Sequence, residues 1–128
     1  MSRVLIKELA NHLRSNPLML HISPIGLLRL APDNLQRFTE LNSILNCIQD
    51  SGGNIAIPAY SYSYTKNETY DMRSTPCILD ETHEFLRKNN INKRTADANF
   101  SYLMFGDEFS ENHLSVSDYS TFGENSLI

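Results

Sequence analysis

The chain has 128 residues, with 15 acidic and 11 basic side chains and a net charge of −4, which bounds it to a single domain able to bury one core. No long run of either sign occurs, which argues against a nucleic-acid partner and against an anionic membrane surface, and favours a small cationic substrate. Its two cysteines, Cys47 and Cys77, fall in different elements without Cys-x-x-Cys spacing, so neither a disulfide framework nor a zinc site is expected and a reducing cytoplasm is the natural compartment.

Taken in order, Val4 to Arg14 places Leu5, Ile6, Leu9 and Leu13 on a helical stripe, with Lys7, Glu8 and Asn11 turned outward. Charges every few positions make this neither a signal peptide nor a membrane span, and Asn16-Pro17 stops it. Leu18 to Ile22 is a nearly continuous apolar run, which predicts an interior strand covered on both faces. His21 stands at its end, where an imidazole serves as a base, donor or ligand, or is simply pinned by a backbone hydrogen bond. After the apolar stretch Ile25 to Leu30, the residues Ala31-Pro32-Asp33-Asn34 break and then cap a helix over Leu35 to Ser51. Phe38, Leu41, Leu45 and Ile48 share one of its faces, and Gly52-Gly53 stops it. Strand, helix and strand in this order predict a parallel βαβ unit.

Ile55, Ala56 and Ile57 read as a buried strand ended by Pro58. The next residues, Tyr60-Ser61-Tyr62-Ser63-Tyr64-Thr65, carry a row of hydroxyls at that strand's C-terminal end, where open α/β sheets bind ligands. Two readings stay open: a half-exposed hairpin strand with the tyrosines on one face, or the wall of an acceptor pocket. In the second, Tyr60 and Ser61 contact the substrate, and Asp71 with Glu68 supplies charge for an ammonium group. Thr75 and Pro76 read as N-cap and first residue of a helix over Ile78 to Lys88, with His83 on its polar side. Arg94 to Met104 returns as a strand, and the polar tail from Asp107 to Ile128, including His113, gives little pattern.

Several of these segments, in this order, resemble the CoA-dependent aminoglycoside 3-N-acetyltransferases. The segments are Met19-Leu20-His21-Ile22-Ser23, Gly53 to Ser61, Asp71-Met72-Arg73-Ser74-Thr75-Pro76, Phe85-Leu86-Arg87, Arg94 to Ser101, and Phe122-Gly123-Glu124-Asn125-Ser126. They are similar to that family's His-Ser-Ser strand end, Met-Pro-Thr-Tyr-Ser strand and loop, Asn-Thr-Pro-Ser segment, Phe-Arg helix end, Arg-Ser-x-His-Pro strand, and Gly-Glu-Gly-Ser-Pro turn. The resemblance implies the antibiotic N-acetyltransferase fold: a three-layer αβα arrangement around a largely parallel or mixed sheet, here only its N-terminal part and so incomplete.

It also implies acetyl-CoA as cosubstrate, held by His21, Ser23, Thr75, Arg94 and Ser101, and an aminoglycoside or amino sugar as acceptor. Pro24, Leu79-Asp80 and Asp97-Ala98 depart from the family pattern, the last where its His-Pro pair falls. The base of the family reaction belongs to a Leu-His-x-x-Glu helix beyond Ser126 that this sequence does not contain. A truncated or split enzyme is the first expectation, and a catalytically inactive remnant that binds CoA or a partner is the alternative. Exposed sheet edges, and with them a homo-oligomer or a separate C-terminal chain, are expected of such an incomplete domain.

Overall fold

In the computed structural model, residues 3–106 are described, except Pro24 and Pro32. His113 and the Phe122 to Ser126 segment lie outside the described residues. Two strands, a helix between them and a returning antiparallel strand build a small mixed sheet ordered β1-β2-β3, so the described residues form an α/β fold, as the sequence suggests.

Helix α1, Arg3–Ser15, buries Ile6, Ala10 and Leu13, while Leu5 of the expected stripe stays exposed. Its last carbonyls have no partner within the helix. Asn54 supplies one from forty residues on, donating through its side-chain Nδ2 to Leu13 O at 3.2 Å and Arg14 O at 3.0 Å. Strand β1, Leu18–Met19, pairs in parallel with β2, Ile55–Pro58. The expectation of an interior strand over Leu18 to Ile22 is corrected here: β1 lies at the margin of the sheet, with Leu18 42% and Met19 51% exposed. An apolar run reads the same at an edge as in a centre, because pairing partners are set by tertiary structure.

Helix α2, Asn34–Asp50, starts on Asp33, whose carboxylate accepts from Gln36 N at 2.9 Å, and buries Leu41, Leu45 and Ile48. Gly52, at a φ of 93°, turns the chain into β2. All of β2 is buried. Ile55 and Ile57 pack with Leu103 and Phe105 of β3, Tyr102–Phe105, into the core beneath the helices, while Ala56, Tyr102 and Met104 form a second cluster with Tyr60.

The expected strand over Arg94 to Met104 is folded in two. Asp97 Oδ1 accepts from Asn99 N at 2.8 Å and Phe100 N at 2.7 Å, and that turn lays Arg94 back against Leu103. Helix α3, Glu81–Asn89, also departs from the expected start at Thr75 and Pro76. Asp80 is its cap, accepting from His83 N at 2.8 Å. The Thr75 hydroxyl is taken by Asp71 N at 2.7 Å, which closes a turn upstream of the helix. Among the described residues, no helix is long and apolar enough to cross a membrane.

Candidate functional site

Two features carry the chemistry: a polar knot that includes the chain just after β2, and a cleft where α2 and α3 begin. The knot is centred on Arg94, only 1% exposed. Its Nε donates to Ser101 Oγ at 3.1 Å, one terminal nitrogen to Ala59 O at 2.9 Å, and the other to Thr75 O. The Tyr70 ring lies 5.0 Å from the guanidinium carbon, and Tyr70 donates its hydroxyl proton to Thr95 O at 2.7 Å. Burial lowers the Arg94 pKa, with Tyr70 opposing, and burial raises that of Tyr70, with Arg94 opposing. The knot thus gathers three segments far apart in sequence, 59–63, 70–75 and 94–101.

The hydroxyl-rich loop takes elements of both sequence readings. Ser61 N and Ser63 N donate to Asn99 O and Ala98 O at 3.2 and 2.8 Å, as a hairpin partner would. Tyr62, at a φ of 53°, then turns the chain out of extension. Ser61 is buried, donating to Ala98 O at 3.1 Å and accepting from Ser63 Oγ at 2.9 Å, so its hydroxyl is engaged internally. Tyr60 is half-buried, its hydroxyl bonded to that of Tyr102, and its ring stands edge-on to those of Tyr62, Phe100 and Tyr102. Burial first, and the Tyr102 hydroxyl second, push its pKa well above the usual phenol range. Asp71 is exposed; its Oδ1 accepts from Arg73 N at 2.8 Å and Ser74 N at 3.0 Å, and those backbone donors lower its pKa.

Of the expected cofactor residues, Thr75, Arg94 and Ser101 are brought together, but at the knot, with their polar atoms on protein partners. His21 and Ser23 are exposed in the segment after β1. That segment leads into the cleft, a volume of about 370 Å³. Ile25, Leu27, Leu28 and Phe38 give it an apolar lining, Asn34 and Arg37 line it from α2, and Asp80, Glu81 and Thr82 from the start of α3. Arg37 is tied down by Ala31 O at 2.9 Å and by the Asn34 side chain.

His83, one residue beyond this lining, is 3% exposed, which corrects its expected place on the polar side of the helix. Its Nδ1 lies 2.7 Å from Asp80 Oδ1, and its Nε2 is a buried side-chain atom with no hydrogen-bond partner. The sequence reading passed over this pair because Thr75-Pro76 offered an earlier helix start; an aspartate three residues before a histidine at a helix N-terminus was the available signal. Among the described residues no group of side chains is arranged to hold a metal ion. No family model, curated protein or solved structure matches the chain.

Proposed function

We propose that the chain serves cytoplasmic, acetyl-CoA-dependent N-acetylation of an amino group of an aminoglycoside or amino sugar. The observation that carries this reading is the meeting of segments 59–63, 70–75 and 94–101 around Arg94. They overlap three of the six stretches in which the sequence resembles the aminoglycoside 3-N-acetyltransferases, Gly53 to Ser61, Asp71 to Pro76 and Arg94 to Ser101, and their convergence is what a shared architecture requires.

The cleft suits the pantetheine arm of acetyl-CoA. That arm is uncharged, with an apolar body that Ile25, Leu27, Leu28 and Phe38 accommodate and amides within the chemistry of Asn34 and Thr82. His21 and Ser23, exposed on the approach to the cleft, are the residues placed to meet the cofactor from solvent. Arg94 and Ser101 hold the start of the loop through Ala59, and the acceptor meets Tyr60 and Asp71 on that loop. When bound, acetyl-CoA supplies the activated acyl group. This chain's share is to hold the arm and exclude water around the thioester.

A second reading has its own support. Arg94 is spent on the Ala59 and Thr75 carbonyls and on Ser101, and the Thr75 hydroxyl on Asp71 N, as in a remnant domain that binds CoA or a partner without turnover. Calorimetry with coenzyme A, paired with acetyl-CoA-dependent thiol release in the presence of kanamycin or glucosamine, separates the two. Binding and release together support the transferase, binding without release supports a remnant that binds CoA, and no binding of coenzyme A removes the transferase and leaves only a remnant that binds a partner.

A further inference from the structure

The first turn of α3 leaves three hydrogen-bonding groups open at the cleft. The first N–H groups of a helix have no partner within it, and Asp80 serves only the later ones: its carboxylate accepts from His83 N at 2.8 Å and its carbonyl from Glu84 N at 3.1 Å. Glu81 N and Thr82 N, which precede them, have no acceptor among the described residues. Thr82 adds its side chain. It is only 2% exposed and lines the cleft, yet no described group bonds its hydroxyl. Among the described residues His83 Nε2 is the one sealed side-chain nitrogen or oxygen without a partner, so the Thr82 hydroxyl is not sealed, and the cleft is the space it faces.

A threonine set this deep is stiff at χ1, and its hydroxyl can bond only to what occupies the cleft. The chemistry of that occupant follows from the lining. Two N–H groups and a hydroxyl on one turn call for an oxygen acceptor. The carboxylates of Asp80 and Glu81 on the same turn repel an anion and offset the positive end of the helix dipole. Arg37, on the α2 side, is already held by Ala31 O and the Asn34 side chain. Ile25, Leu27, Leu28 and Phe38 suit an apolar body. The lining therefore fits an uncharged carbonyl on an apolar body better than a phosphate or a carboxylate.

We infer that the first turn of α3 is a subsite for an uncharged amide carbonyl, whose oxygen is taken by Glu81 N, Thr82 N and the Thr82 hydroxyl. This rests on the reading of the cleft as the pantetheine site and deepens it: an amide of the arm docks against α3, and the phosphates of coenzyme A stay away from Asp80 and Glu81. No bond is made or broken at this turn; its donors select and orient the ligand. Thr82 is then a specificity-determining residue and not a cap, a role that Asp80 already fills.

The test follows the backbone amide resonances of Glu81 and Thr82 in the wild-type chain as pantetheine is added, with pantothenate and inorganic phosphate as charged comparisons. We expect both N–H protons to move downfield with pantetheine and much less with either anion at the same concentration. Thr82→Val, which keeps the shape and removes the hydroxyl, should weaken pantetheine binding about three- to tenfold, and Thr82→Ser should restore most of it. Glu81→Gln should narrow the gap between pantetheine and pantothenate. If pantetheine at its highest soluble concentration leaves both N–H groups unmoved, the inference is overturned, even where thiol release upholds the transferase. If phosphate moves them as strongly as pantetheine, the turn is an anion site and the inference is again overturned. If pantetheine moves them while coenzyme A releases no thiol with kanamycin, the acetyl-transfer reading falls and the carbonyl subsite stands. The deciding measurement is made on the wild-type chain, so it holds even where a variant does not fold.

Discussion

Ser101 stands between Arg94 and Ala59: its hydroxyl accepts from Arg94 Nε at 3.1 Å and donates to Ala59 O at 2.7 Å. The same Ala59 carbonyl receives a guanidinium nitrogen of Arg94 at 2.9 Å, and Ala59 N donates to Ser101 O at 2.8 Å. The end of β2, the start of β3 and the turn at Thr75 are therefore held by one buried cation, which among the described residues makes no ion pair. A fork of donors facing several carbonyls is a task for arginine and not for lysine, whose ammonium is a point charge.

Arg94→Ala is expected to be among the most damaging single substitutions in the chain. It leaves Ala59 O and Thr75 O without their guanidinium donors and opens a cavity, for a loss of about 3–5 kcal/mol. Arg94→Lys should recover part of it, and Ser101→Ala should cost about 1–2 kcal/mol, because Ala59 O keeps one donor. Urea unfolding of the three variants gives the order directly. Equal midpoints would show the knot to be dispensable.

The sequence revealed most where a pattern depends on near neighbours. The stripes of α1 and α2, the glycine turn and the apolar β2 all follow from local period and turn chemistry, and the α/β class follows from their order. It failed where the deciding partner is far away. Arg94 reads as solvated or phosphate-binding because nothing near it shows that Ala59 and Thr75 will offer carbonyls. Thr75 reads as a cap because its hydroxyl's engagement with Asp71 depends on the shape of a loop. His83, flanked by Glu81 and Glu84, looks solvated because its burial depends on how α3 is docked.

Glu84 gives the chain a measurable acid dependence. Burial alone would raise its pKa, but the Arg87 side chain and the backbone N–H of Cys77, at 3.0 Å, outweigh it and hold the carboxyl below its ordinary value of 4.5. A carboxyl lowered in the folded state stabilises fully above the unfolded value, and the stabilisation is lost as the pH falls through the folded one. Glu84→Gln should therefore cost about 1–2 kcal/mol at neutral pH and progressively less below pH 4.5. Thermal midpoints of both proteins across the acid range should converge. A constant gap would place the effect in packing.

The Tyr60 and Tyr102 hydroxyls share one hydrogen bond. Tyr60 has its pKa raised by burial and by that bond, so its phenol form contributes stability below the unfolded value near 10, and this is lost as the pH rises through the folded value. In an alkaline absorbance titration, Tyr60 should ionise only together with unfolding. Tyr60→Phe should remove the late component and cost about 1 kcal/mol. A titration in which every tyrosine ionises before unfolding would contradict the pairing.

Gly106 follows β3 at a φ of 138°, a conformation that side chains rarely adopt. A Cβ there would overlap Asn54 Oδ1 and come within 2.9 Å of Asn54 Cα. Asn54 is the residue that caps α1, so the strain would spread to the helix end. Gly106→Ala is expected to cost more than about 2 kcal/mol, well above the ordinary glycine-to-alanine change. Gly26→Ala, whose Cβ would come no nearer than 3.9 Å to Ser23 Cβ, is the internal control and should leave the unfolding midpoint nearly unchanged.

Asp71 allows loop architecture and acceptor binding to be separated. Its turn depends on Oδ1 as acceptor for Arg73 N and Ser74 N, and an asparagine oxygen accepts in the same way. What Asp71→Asn removes is the charge. The substitution should therefore leave the loop and the neutral-pH melting profile nearly intact while weakening kanamycin binding by roughly two- to fivefold, the scale of an exposed ion pair, and more at low salt than at high salt. Asp71→Ala removes charge and acceptor together and should loosen the turn as well. If Asp71→Asn binds kanamycin as the wild type does at every ionic strength, the carboxylate is only a turn former, and the acceptor's ammonium groups are held elsewhere, with Asp80 and Glu81 the next carboxylates to examine.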